Sequence, residues 1–151
     1  MSKGLTVQLT LEGAKELDRK LRELPKRLEK KILRTALRAG MRPIHTAAQQ
    51  NAPVEKGQLK RSIKLRAIKR NRKGFVGVKI ETKGGFFRGE TFYGAFQEFG
   101  FRIGHRRLGN QRKFIPGKHY FLGAADDKKD EAASIVTSEI ASGIIREAKA
   151  L

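Results

Sequence analysis

The chain has no cysteine. That excludes disulfide scaffolds, zinc ribbons and thiol catalysis, and it suits a reducing compartment. No apolar run approaches the roughly 18 residues that a membrane-spanning helix needs. The opening MSKGLTVQLTLEG alternates in hydropathy and lacks the apolar block of a signal peptide, so synthesis and retention in the cytosol are expected. Hydrophobic residues are also scarce. They make up 38% of 151 residues, against roughly 45–50% in ordinary globular chains. A single domain of this length still buries about two thirds of its unfolded surface. The expectation is one domain over residues 1–151, with a modest core and exposed helices or arms.

Acids are the next shortage. Fifteen acidic residues face 34 basic ones, for a net charge of +19. A field of that size attracts polyanions and speeds association. Its distribution is uneven. Residues 56–73 hold nine bases and no acid, and residues 102–118 hold six and no acid. Residues 19–38 hold nine bases against Glu23 and Glu29. Only the last stretch reverses the balance, through Asp126, Asp127, Asp130, Glu131, Glu139 and Glu147. Two partners fit such polarity: nucleic acid and the acidic surfaces of other subunits.

Signatures of chemistry are missing too. There is no GxxxxGK[ST] and no GxGxxG after a strand. No serine sits in a nucleophile elbow. His45, His105 and His119 are too scattered for a metal site, and no cofactor is implied. Glu98 is the one acid between Glu90 and Asp126. A general acid needs a placed partner, and none is offered. The reading for Glu98 is therefore structural: an ion pair with a nearby base that fixes the turn at residues 93–100. Helix-turn-helix, zinc-finger and RNP signatures are absent as well.

Periodicity supplies the elements. Val7, Leu9 and Leu11 alternate as a short strand. Ala14, Leu17, Leu21 and Leu24 mark a first helix. Pro25 opens a second, striped by Leu28, Ile32, Ala36, Leu37, Ile44, Ala47 and Ala48, with its other faces mostly Lys and Arg. Pro43 lies inside it and predicts a kink or break. Ala52, placed before Pro53, ends it. A helical turn follows around Gly57 and Leu59. Residues 62–69 and 75–81 read as a hairpin about Asn71-Arg72-Lys73-Gly74. Residues 83–91 read as a flexible loop with Phe86 and Phe87 among glycines, suited to anchor an interface. Residues 92–99 read as a short helix stopped by Gly100. Phe92, Tyr93, Phe96 and Phe99, spaced so that three of them share one helical face, are expected in the core or at a subunit contact. Residues 101–118 read as a flexible basic assembly arm carrying Arg102, Arg106, Arg107, Arg112 and Lys113. Residues 118–122 read as a strand. Residues 126–150 read as a helix with Ala133, Val136, Ile140, Ile144 and Ala148 inward, and with acids in its first turns facing the helix dipole.

The order of these segments resembles a known family. Ala52-Pro53, then Gly57, Leu59, Lys60, Arg61 and Ser62, match an Ala-Pro…Gly-x-Leu-(Lys/Arg)-x-Ser pattern. Tyr93, Glu98 and Gly100 match Tyr-Ala-x-x-x-Glu-x-Gly, with Gly94 in the alanine position. His119-Tyr120-Phe121-Leu122 stands where Pro-Phe-Leu is usual, before the last helix. These features resemble the small head–tail joining, or tail-completion (neck), proteins of long-tailed phages and prophages, of the lambda-like siphophage gene-product-ten type. The resemblance implies an α+β fold, with long amphipathic helices packed on one face of a small antiparallel sheet and extended basic loops. It implies a non-enzymatic virion protein of the neck, assembled in the host cytoplasm. The implied partners are a homo-oligomeric ring, a hexamer by preference, the head connector and tail-terminator or tail-tube proteins. Non-specific DNA contact is compatible with it; a membrane is not involved. Asp127, Asp130 and Glu131 are the acidic candidates for a neighbouring subunit's basic patch. Two other readings remain open at this point: a basic nucleic-acid-binding protein, and a small toxin-type ribonuclease. The second lacks an Arg/Lys/His/Glu cluster at one strand end.

Overall fold

The computed structural model describes residues 14–53, 57–68, 75–83, 93–104 and 113–149. The expected strand at residues 7–11, the turn at 71–74 and nearly all of the loop at 83–91 lie outside these. Helix α1 (Ala14–Arg22) leads through Pro25 into α2 (Lys26–Asn51). A short α3 (Gln58–Ser62) feeds strand β1 (Ile63–Ala67), which pairs with β2 (Val78–Thr82). Helix α4 (Tyr93–Phe99) comes next, then β3 (Phe101–Ile103), β4 (Lys113–Ile115) and the long α5 (Tyr120–Ala148).

The α2 stripe forms as its sequence demands. Ile32, Ala36, Gly40, Ile44 and Ala48 are buried at every fourth position. Four residues turn a helix by about 40° beyond a full circle, so the stripe winds slowly around α2. Helix α5 follows it in antiparallel fashion. Lys31 meets Glu147 at 2.7 Å near one end. Near the middle, a side chain on Gly40 would strike Val136 and the Ala132 carbonyl. This close approach makes the helix pair the spine of the fold. Of the kink or break expected at Pro43, the break does not occur: α2 runs through it. Pro43 removes one donor to the Ala39 carbonyl, but Gly40 and Ile44 on either side are buried. The helix ends where Ala52 turns extended, ψ 133°, before Pro53.

Two core clusters lie along the spine. One joins Leu21 of α1 with Ile32, Ala36, Val136 and Ile140. The other gathers Ile44, Ala48, Leu59, Ile63, Ile80, Tyr120 and Phe121 under the β1–β2 hairpin. Its strands are antiparallel, with Leu65 opposite Ile80 and Ile63 opposite Thr82. Alternation turns Ile63, Ile80 and Thr82 inward. Helix α2 also binds the strand entry directly. The Gln49 side chain donates to the Lys60 and Ile63 carbonyls at 3.2 and 3.3 Å. His45 Nε2 lies 3.0 Å from the Ile63 carbonyl oxygen. The fold is α+β, with its helices packed against a small antiparallel sheet.

Three expectations are corrected. Residues 118–122 are no strand: His119 adopts a left-handed conformation, φ 48°, and α5 starts at Tyr120. The helix thus begins six residues before the expected Asp126. The acids at 126–131 lie in its second and third turns rather than at its dipole end. The segment at 101–118 is not wholly loop, since Phe101 pairs with Ile115, Arg102 with Phe114 and Ile103 with Lys113.

Candidate functional site

The short helix α4 faces inward with small residues and one acid. Gly94, Ala95 and Glu98 are buried, and Glu98 is 0% exposed. A methyl group on Gly94 would come within 2.8 Å of Leu59 Cδ1 and 3.2 Å of the Tyr120 hydroxyl. That tightness accounts for glycine in the alanine position of the pattern.

A buried carboxylate is costly unless its oxygens find donors. Glu98 finds them on the chain that returns from the arm. The Phe121 N–H donates to Oε2 at 2.8 Å, and the Leu122 N–H donates to Oε1 at 2.9 Å. These are orphan donors of the α5 N-terminus. The N-cap residue His119 supplies no side-chain cap. Glu98 therefore acts as a tertiary cap, placing negative charge where the helix dipole is positive. Its backbone joins in: the His119 N–H donates to the Glu98 carbonyl at 3.3 Å, and the Lys118 N–H to the Gln97 carbonyl at 2.6 Å. The expected partner of Glu98 was a basic side chain; its partners are helix amides. A donor pair on the backbone leaves no signal in residue types, so only the fold could reveal it.

Tyr120 packs beside this contact. Burial pushes its phenol well above the usual tyrosine range, and the Glu98 charge adds to the shift, with Tyr93 a lesser cause. Its hydroxyl has no hydrogen-bond partner among the described residues.

The Glu98 cap fixes the root of the β3–β4 arm. Gly100 ends α4 with φ 83°, and its N–H donates to the Phe96 carbonyl at 2.8 Å. At such a φ a side chain is strained, and a Cβ would stand 2.5 Å from the Ile115 carbonyl oxygen. A Cβ on Gly117 would strike the Glu98 carbonyl. The two strands of the arm therefore leave the body in contact with each other.

Helix α4 and the described strands of the arm together present apolar groups. Phe96, Phe99, Ile103 and Phe114 are 41%, 43%, 50% and 53% exposed. Phe96 and Phe101 meet edge to face, 5.9 Å between centroids. Tyr93 is half-buried, so the aromatic face of α4 belongs to the surface rather than the core. The reason is steric: Gly94 fits against Leu59 and Tyr120 where even a methyl group would crowd, the small Ala95 next to it is buried, and rings would not fit there. Ile103 and Phe114 were not singled out from the sequence. Arg102 and Lys113 flank these groups, both exposed. Arg106, Arg107, Arg112, Phe86, Phe87 and Phe92 lie outside the described residues.

The acidic candidates sit on α5. Asp127, Asp130 and Glu131 are exposed, and Lys128 Nζ lies 2.8 Å from Glu131 Oε2. Glu131 also edges an open groove between α2 and α5, floored by Pro43, Ala47 and Ile135, with Arg42 and Lys128 on its rim. Among the described residues no group of His, Asp and Glu could hold a metal, and no helix is long and apolar enough to cross a membrane.

Comparison with protein families matches residues 15–100 to the family described as "Bacteriophage HK97-gp10, putative tail-component". The match spans more than half of the chain, from α1 to Gly100, and stops where the arm begins. Neither the curated proteins nor the solved structures yield a match.

Proposed function

The chain belongs to the HK97-gp10-like family of phage tail components, and on that premise we propose that it completes the neck, joining the head connector to the tail as one subunit of a ring. A tail component is a structural part of the virion, and the reading here assigns it assembly and no catalysis. The observation that carries the proposal is the rooted arm. It exposes Ile103 and Phe114, with Phe99 of α4 at its root, beside Arg102 and Lys113, and an apolar centre with a charged rim is the anatomy of a protein interface. Its root is fixed before any partner arrives, which lowers the ordering cost of association.

Charge polarity supports a closed assembly. Residues 102–118 carry six bases and no acid, while the Asp127, Asp130 and Glu131 surface of α5 is acidic. Complementary patches on one chain permit head-to-tail docking, which closes into a ring when the rotation allows. A hexamer is the preferred stoichiometry on the family resemblance.

The test is assembly in phage lysates. Without this chain, filled heads and finished tails should accumulate unjoined, and adding the purified chain should restore joined particles. Normal joining without it would overturn the proposal. So would finding it along the tail shaft instead of at the neck.

A further inference from the structure

Helix α2 carries a second surface that the neck reading leaves unused. Arg27, Lys31, Arg34, Arg38 and Arg42 are all exposed. Their spacings of four, three, four and four residues place them on one side of the helix. The row runs over sixteen residues, about 22 Å at the α-helical rise. Lys30 and Thr35, exposed within it, are polar. Glu29, on roughly the opposite side of the helix in projection, pairs with Lys26 at 2.9 Å. Lys31 is partly engaged by Glu147. The four arginines have no ion pair among the described residues. The α2 stripe buried against α5 lies on the other side, at Ile32, Ala36 and Gly40.

The chemistry of this row differs from that of the arm. Protein interfaces have apolar centres depleted of charge, whereas here the partly buried Met41 at the margin beside Arg34 is the one apolar side chain and the exposed positions are all polar. The row is rich in arginine, whose planar fork suits phosphate oxygens. A straight rod of cations faces most favourably a regular line of anions. Duplex DNA offers one charge per roughly 1.7 Å of axis. We infer that this face of α2 binds the phosphate backbone of duplex DNA without sequence preference. Phosphate contacts position a protein and carry no base information. Four arginine contacts give a salt slope of about −3.6 in log K against log salt. Such binding weakens about 150-fold between 50 and 200 mM salt, which lets DNA slide past.

The test uses the purified full chain and a fluorescent 30-base-pair duplex, followed by anisotropy from 50 to 200 mM NaCl. The variant R34Q/R38Q/R42Q should lower the salt slope by about 2.7 and weaken binding more than tenfold at 50 mM. The control R102Q/K113Q/K118Q removes the same charge and should change affinity less than threefold. Changing the three arginines to lysine should keep the slope, and circular dichroism verifies that every variant is helical. Equal losses in the two sets would make the binding a diffuse effect of net charge and overturn the inference. So would an unchanged R34Q/R38Q/R42Q variant, or poly-glutamate that competes as well as the duplex per unit charge. Because the measurement needs no ring, its failure leaves the neck reading standing, and failure of the neck reading leaves this result intact.

Discussion

The carboxylate of Glu98 accepts the backbone N–H of Phe121 at 2.8 Å, 23 residues further along the chain. One side chain of α4 thereby caps α5 and closes the base of everything between them. Replacing it with glutamine keeps one acceptor oxygen but removes the charge and leaves one amide without its partner. Glu98→Gln should destabilise the chain by about 1–3 kcal/mol. Urea denaturation should show a lower midpoint with an unchanged slope. A variant as stable as the parent would remove the cap from the account of the fold.

Tyr120 makes stability fall at alkaline pH. Its folded-state pKa is raised above the unfolded value, chiefly by burial. The contribution is therefore fully present below the unfolded pKa of about 10 and is lost as pH rises above it. Tyr120→Phe should abolish this loss. At neutral pH it should be neutral or stabilising by about 1 kcal/mol, since the buried hydroxyl has no partner among the described residues. Thermal unfolding of both proteins from pH 7 to 11 checks the two parts together.

The arm should be dispensable for folding and required for assembly. Ile103 and Phe114 are half-exposed, so Ile103→Asp with Phe114→Asp should shift stability by no more than about 0.5 kcal/mol per site. The same pair should prevent oligomers, read by native mass spectrometry, and should fail to restore joined particles. Deleting residues 104–112 tests Arg106, Arg107 and Arg112 separately, and a folded subunit that no longer assembles is the expected result. Assembly by either variant would exclude the arm as the contact.

Reversing Asp127, Asp130 and Glu131 to lysine should weaken ring formation while the subunit stays folded. The three lie beyond the first turn of α5, where the helix dipole has faded. The local cost is mainly the Lys128–Glu131 pair, about 0.2–0.5 kcal/mol. Sedimentation and melting curves on one preparation separate the two effects. A variant that forms rings at the parental concentration would assign the acids to solvent.

Local rules determined much of this protein from sequence alone. Fourfold spacing of Ile32, Ala36, Ile44 and Ala48 defined the buried stripe of α2, and alternation of Ile63 and Leu65 against Val78 and Ile80 defined the hairpin. Each depends on one element's own period. Gly100 marked the end of α4 because a left-handed residue there wants glycine. The family resemblance rested on such local segments too. Tertiary structure decided the rest. Helix α5 starts at Tyr120 instead of Asp126 because its first free amides are satisfied by Glu98, a residue distant in sequence. Helix α2 continues through Pro43 where close packing against α5 flanks the missing hydrogen bond. The α4 aromatics face outward because Gly94 and Glu98 occupy the side against Leu59 and the α5 start. In each case the deciding partner lies far along the chain, and a period or a turn residue carries no record of it.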